Sequence, residues 1–305
     1  MQIIVPESEQ HWLQLRTQDL TSTDIAALFG MSPYATKFEV WHRKASGEVP
    51  EFRENDRMKW GNRLEGPIAA GIADDNSWKI RNMRRYIRHE DARIGSSFDF
   101  EVVSNDKGPG ILEIKNVDYF AFKEGWLIDD DKNIEAPPHI ELQLQHQLEI
   151  ANRNWGAIGA LIGGNDVKLL IRDRDREIGQ AIREEAEKFW MSIAAGTPPP
   201  PEYPQDAGMI CRLYGYADPG KMLETDDAEI VALVASYASA AAKEKEAKEM
   251  KESCKAQIFE KIDSVERLIV PGFSVSAGMV APTYIEAYER KGYRNFRVTA
   301  KKVKS

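Results

Sequence analysis

Two periods of hydrophobic and polar positions divide this chain. Through HWLQLR, TSTDIAALFG and KWGNRLEGPIAAGIADD the apolar residues recur at helical spacing, whereas WKIRNM, ARIGSSFDFEVV and GILEIKNV read as strands. A helix follows over HIELQLQHQLEIAN, then strands over WGAIGALIGG and VKLLIRD. The next helix, REIGQAIREEAEKFWMSIAAG, places Ile178, Ile182, Ala186, Phe189 and Ile193 on one face. This order predicts an α/β or α+β layered domain. Four consecutive prolines in GTPPPPEYP, residues 196–204, cannot continue a helix or occupy a central strand. The pattern therefore predicts one domain over 1–203 and a C-terminal extension over 204–305. In the extension, TDDAEIVALVASYASAAAKEKEAKEMKESCKAQIFEKI reads as a long helix that begins at a Thr/Asp cap, with short strands RLIVPG and FSVSAG after it.

The strands around residues 96–117 carry charge where buried β-structure would not need it. SNDKGPG, residues 104–110, is a cluster of turn formers, so the runs on either side form a hairpin. In the first strand Phe98, Phe100 and Val102 share a face, and Ser97, Asp99 and Glu101 share the other. In the second, Leu112 and Ile114 oppose Ile111, Glu113 and Lys115. Burying the two apolar sets together sets the register parity, because a one-residue slip would turn one strand over. Asp99 then lies opposite or diagonal to Glu113 and Lys115. Two readings are open for this polar face. One is a charge ladder on a half-exposed sheet. The other is a pair of carboxylates that hold a hard divalent cation through oxygen, beside a lysine that orients water or offsets phosphate charge.

Charge and composition narrow the picture. The net charge of −8 argues mildly against non-specific nucleic-acid binding, but local charge decides, and acidic side chains gathered at a metal site would weigh on the total. From Arg290 to the end there are seven Lys or Arg and no acid, which reads either as a solvated tail or as a contact for phosphate. No apolar run approaches the roughly 18 residues of a membrane span, and MQIIVPESEQHW does not read as a signal peptide. Cys211 and Cys254 lie far apart without CxxC spacing, so neither a disulfide framework nor a zinc site is indicated, and a reducing cytoplasmic compartment fits. His11, His42, His89, His139 and His146 show no HExxH or HxH spacing and read as structural or exposed. There is no GxxxxGK[ST] to bind ATP and no GxSxG nucleophile elbow.

The Asp-x(n)-Glu-x-Lys arrangement of Asp99, Glu113 and Lys115 resembles the PD-(D/E)xK nuclease core. HWLQLRTQDLTSTDIAALFGMSPY, KWGNRLEGPIA, the SSFDF…GILEIK pair and LQLQHQL, followed by GALIGG…RDRD, resemble in order the lambda-exonuclease / YqaJ-type viral recombinase nucleases. The segments span about residues 10 to 195. The resemblance implies a restriction-endonuclease-like core, a central mixed sheet flanked by helices. It makes Asp99, Glu113 and Lys115 the catalytic triad, with the backbone carbonyl of Ile114 as a further metal ligand. It adds Glu65 as the helix-borne acidic residue near the metal, and Gln143, with Gln145 as the fallback, as the active-site glutamine. Arg16 and Thr23 match the pair that cradles a DNA 5′-phosphate, a role suited to a guanidinium fork and a hydroxyl near a helix start. The alternative is that Thr23 or Ser22 simply caps its helix. Three departures stand out: Ser97-Phe98-Asp99-Phe100 replaces the family's Ser-Pro-Asp-Gly, thirteen residues separate Asp99 from Glu113, and Thr stands for Ser at position 23.

The activity so implied is a Mg²⁺-dependent 5′-to-3′ exonuclease on double-stranded DNA, with Mn²⁺ as a possible substitute. It would leave 3′ single strands for phage-type recombination. A ring trimer around DNA, a single-strand annealing protein as partner and a phage or prophage origin in a bacterial cytoplasm are implied in the same way. Two alternatives remain at this point: an endonuclease of the same fold, and a catalytically silent DNA-binding scaffold. The basic end from Arg290 is a candidate contact for DNA backbone or the annealing partner.

Overall fold

A computed structural model describes residues 1–49, 54–104, 106–130 and 133–284, together with 294, 296 and 298. Apart from those last three positions, the basic end from Arg290 lies outside the described residues. The chain forms two compact units, Met1–Met209 and Ile210–Ser305.

The first unit opens with β1 (Gln2–Ile4), α1 (Glu9–Gln18), α2 (Ser22–Leu28), α3 (Lys37–Ser46) and α4 (Asp56–Asp75). Strands β2 (Lys79–Asn82), β3 (Tyr86–His89), β4 (Ile94–Ser97), β5 (Phe100–Ser104) and β6 (Gly110–Val117) follow. Next come α5 (Tyr119–Gly125), the short pair β7 (Leu127–Ile128) and β8 (Ile134–Glu135), and α6 (Pro138–Ala151). Then β9 (Trp155–Ile162), β10 (Asp166–Asp173) and α7 (Arg176–Ala194) complete the layered body, and α8 (Ala207–Leu213) begins after the prolines. The central sheet has the order β10-β9-β6-β5-β2 and is mixed, since β6 and β9 run parallel while the other pairs are antiparallel. A second sheet has the order β1-β3-β4. The α/β expectation, a central mixed sheet flanked by helices, is what the first unit shows.

Both faces of β6 are covered. Leu112 and Ile114 pack with Ile68, Ala69 and Ile72 of α4, while Ile111 joins a cluster with Leu144 and Leu148 of α6. Two glycines of β9 let the helices come this close. A Cβ on Gly159 would collide with Ile72 of α4, and one on Gly156 would press on Leu144 of α6 at 2.9 Å. The sheet is thus clamped between α4 and α6, and the polar face of the hairpin lies under α6 rather than half-exposed: Glu113 is only 3% exposed.

The single strand expected over ARIGSSFDFEVV is two strands. β4 pairs with β3 in the second sheet, whereas β5 pairs with β2 and β6 in the central one. The chain changes sheets at Phe98–Asp99, so Phe98 and Phe100 enter different hydrophobic clusters instead of sharing a face. The parity expected for the hairpin itself holds, with Phe100 opposite Leu112 and Val102 opposite Gly110.

In the second unit, α9 (Ala228–Ile262) starts at Asp227, whose carboxylate accepts from the Glu229 and Ile230 N–H groups. A hairpin of β11 (Arg267–Val270) and β12 (Phe273–Ser276) follows it. Among the described residues no helix is long and apolar enough to cross a membrane.

Candidate active site

Asp99 stands where the chain crosses between sheets, and its Oδ2 accepts from the Ile114 N–H at 2.8 Å. That bond ties the carboxylate to the strand that presents Glu113 and Lys115. Lys115 Nζ donates to Glu113 Oε1 at 2.5 Å and to Gln143 Oε1 at 3.1 Å. Gln143 Nε2, from α6 above, donates to the same Glu113 Oε1 at 2.5 Å. The other oxygen, Oε2, accepts from Gln147 Nε2 at 2.7 Å, and Gln147 also donates to the Ser97 carbonyl at 3.2 Å. Gln143 and Gln147 are four residues apart and so lie on one face of α6. Gln145 points elsewhere: it donates to the Asp173 carbonyl and accepts from the Asp175 N–H, joining β10 to α7. The structure therefore places Gln143 at the cluster, leaves Gln145 out, and adds Gln147, which the sequence reading missed although its i,i+4 relation to Gln143 pointed there.

The cluster is rich in acid. Burial, then the charges of Glu113 and Glu65, push the Asp99 carboxyl well above the usual carboxylate range, with Lys115 and the Ile114 N–H opposing. Glu65 of α4 is also raised, by burial and by Glu113. Burial alone would lower Lys115, but Glu113 and Asp99 more than reverse this and hold the ammonium protonated. The expected ligands Asp99, Glu113, Glu65 and the Ile114 carbonyl offer only oxygen, a donor chemistry that suits a hard divalent cation rather than a soft metal. Burial and then mutual repulsion raise Asp99 and Glu65, and a cation would offset both, so the residues fit such an ion. As folded they are not a closed cage. Among the described residues no group of three or more His, Cys, Asp or Glu side chains is arranged as a ready metal site, and both Glu113 oxygens are engaged by Lys115, Gln143 and Gln147.

Beside the cluster is a cationic cleft of about 330 Å³, lined by Arg16, Thr23, Ser32, Arg43 and Lys44 among others. Arg16 Nη2 donates to Thr23 Oγ1 at 3.4 Å, and its guanidinium stacks 4.7 Å from the Trp12 ring centre. A smaller cleft of about 190 Å³ is lined by Thr23, Ser32 and Tyr34 on one side and by Lys115, His139 and Gln143 on the other. Thr23 lines both clefts, so the expected phosphate pair and the hairpin lysine open onto connected space.

The capping alternative for Thr23 and Ser22 does not describe them. Thr21 is the N-cap of α2, and its N–H donates to Asp24 at 3.0 Å. Ser22 is buried and meets His146 Nδ1 at 2.8 Å and Ser96 Oγ at 2.7 Å. His146 is fully buried, and burial lowers its pKa to about 3, against the charges of Asp24 and Glu149. Arg43 and Lys44 were missed with α3, although Thr36 before KFEVWHRKAS and Gly47 after it mark the helix ends.

Comparison with known proteins bears on the same part of the chain. Residues 11–154 match the YqaJ-like viral recombinase domain family. A curated relative is the uncharacterized protein YqaJ of Bacillus subtilis (strain 168), 26% identical over 192 residues, which is 62% of this chain. The match spans 57% of that relative's length. Among solved structures, the alkaline exonuclease LHK-Exo of Laribacter hongkongensis is similar at 18% identity and TM-score 0.46, over 61% of this chain and 92% of that one. A phage-related exonuclease of Haemophilus somnus 129PT is similar at 12% identity and TM-score 0.38, over 58% of this chain and 96% of that one.

Proposed function

From the match of residues 11–154 to the YqaJ-like viral recombinase domain family, we propose that this chain is a Mg²⁺-dependent exonuclease of that family, which degrades duplex DNA from 5′ ends and leaves 3′ single strands for recombination. The observation that supports this most is the pairing of an acid-rich hairpin with a cationic cleft across one shared wall, with Thr23 on one side and Lys115 and Gln143 on the other.

The roles follow from the contacts. Arg16 and Thr23 bind the 5′-phosphate, the guanidinium supplying charge and the hydroxyl direction. Lys115 is fixed by Glu113 and Gln143, so its ammonium meets charge building on the scissile phosphate without reorganising. Gln143 and Gln147 orient the Glu113 carboxylate from α6. Asp99, Glu113, Glu65 and the Ile114 carbonyl would hold Mg²⁺, or Mn²⁺ in its place, which when bound polarises the phosphodiester and acidifies water. An oligomer, proposed as a ring trimer, and a single-strand annealing partner complete the reading.

The test uses linear duplex DNA, end-labelled, with 5′-phosphate or 5′-hydroxyl, in Mg²⁺ and in EDTA. The expected outcome is Mg²⁺-dependent loss of one strand from 5′-phosphorylated ends, reduced about 10²–10³-fold in Lys115→Ala. Cutting of closed circles at a comparable rate would make the protein an endonuclease. No cutting with any divalent metal would leave the hairpin as a charge cluster without chemistry.

A further inference from the structure

A third cleft, of about 580 Å³, opens on the other side of the hairpin carboxylates. Glu65 and Asp99 line it, and so do Arg84 and Arg85. The two arginines belong to the link between β2 and β3, and both ends of that link are pinned beside Asp99. Asn82 pairs with Phe100 in the central sheet, and Tyr86 pairs with Ser97 in the other. The residues 83–85 therefore cross between sheets alongside Phe98–Asp99. The buried Met83 anchors the crossing, its N–H donating to the Asp99 carbonyl at 3.0 Å, and the Arg85 N–H closes a tight turn on the Met83 carbonyl at 2.5 Å. Arg84 is exposed and Arg85 half-buried. Among the described residues neither guanidinium has an ion-pair partner, although Glu9, Glu65 and Asp99 line the same cleft.

We propose that Arg84 and Arg85 bind the phosphates of the DNA strand on the 3′ side of the scissile bond. This rests on the nuclease reading above and extends it to the path of the substrate. A strand whose 5′-phosphate sits at Arg16 and Thr23 and whose first phosphodiester lies at Asp99 and Glu113 has to continue into the opposite cleft. That cleft would otherwise present three carboxylates to a polyanion. Two arginines held rigidly against the Asp99 backbone offset that repulsion, and the fork of each guanidinium matches phosphate oxygens. Neither arginine touches the reacting atoms, so both are binding residues.

The experiment compares wild type, Arg84→Gln/Arg85→Gln and Arg84→Lys/Arg85→Lys. Affinity is measured in EDTA, over a salt series, for a 5′-phosphorylated 20-base-pair duplex and for the dinucleotide pTpT. The dinucleotide reaches the first cleft and the scissile position but carries no phosphate beyond them. The glutamine variant is expected to bind the duplex about tenfold more weakly, with a salt slope shallower by about 2, near the ~0.9 expected per lost phosphate contact. Its affinity for pTpT stays at the wild-type value, and the lysine variant recovers the slope. In Mg²⁺ the loss falls on KM rather than kcat. Unchanged duplex affinity and slope would overturn the proposal, and so would an equal loss for pTpT. If the variants show these binding differences but the wild-type protein cleaves no DNA, the nuclease reading is overturned and the cleft stands as a DNA-binding site.

Discussion

Two groups of buried and half-buried carboxylates in the first unit differ in how their charge is met. Asp24 of α2 has two cations for one carboxylate: Arg43 at 2.7 Å and Lys44 at 2.8 Å. Burial alone would raise its pKa, but Lys44 and Arg43 overcome this and hold it well below the usual carboxylate range. Glu101, between Arg81 and Arg153, and Glu149, between Arg174 and Arg183, are compensated in the same manner, and both are lowered despite burial. At the hairpin the ratio is reversed. Asp99, Glu113 and Glu65 act on one another with Lys115 as the cation among them, and Asp99 and Glu65 are raised. A carboxylate with its own cations holds the fold together. A cluster short of positive charge is suited to receive it from outside, as a metal ion.

The sharpest break of this contrast is a pair of isosteric substitutions. Asp24→Asn should destabilise the first unit by about 3–5 kcal/mol, because it leaves the buried Lys44 without its counter-charge. Asp99→Asn should leave the melting temperature unchanged or raise it, since it removes one of several mutually repelling acids, while abolishing Mg²⁺-dependent cleavage. Thermal melts of both variants beside the nuclease assay decide the matter; equal destabilisation would mean that the hairpin acids are structural too.

A smaller effect concerns pH. His146 is held neutral in the fold, with a pKa near 3, whereas an unfolded histidine titrates near 6.5. Between those values the unfolded chain binds a proton that the folded one refuses, so stability falls as pH drops. The slope is about 1.4 kcal/mol per pH unit, or about 2 kcal/mol from pH 6.5 to 5. Denaturant unfolding across that range should show this slope reduced in His146→Gln, which has no ring to protonate. Identical pH profiles would place the native titration elsewhere.

The smallest effect separates the glutamines of α6. Gln147→Leu frees one oxygen of Glu113 and should lower kcat about tenfold, the scale of one lost orienting hydrogen bond of about 1.4 kcal/mol. Gln145→Leu should lower stability and leave kcat at the wild-type value, because its contacts join β10 to α7. Steady-state kinetics of the two variants read the difference directly.

Local pattern was enough for part of this structure. The alternation of apolar residues on either side of SNDKGPG established the hairpin and its parity, because a slip would expose one buried face. That parity brought Asp99 to the edge occupied by Glu113 and Lys115, whereas Gln143 was singled out by the family resemblance and not by the helical period of HIELQLQHQLEIAN. The rest depended on contacts between residues far apart in the chain. The switch of sheets at Phe98–Asp99 was hidden because each half alternates like a strand, and only pairing with β3 or β6 separates them. Whether the face of Gln143 and Gln147 or that of Gln145 meets the cluster turned on how α6 is rotated over the sheet, where Gly156 lets Leu144 approach. The pairing of Asp24 with Arg43 and Lys44, and the placement of Arg84 and Arg85 beside Asp99, likewise follow from packing. The sequence by itself determined which groups were available and how neighbouring ones face, since those are properties of a strand or helix period. Which acids are neutralised and which are left short of charge was decided by the tertiary structure, because electrostatic compensation depends on distance through space and on the water that packing removes.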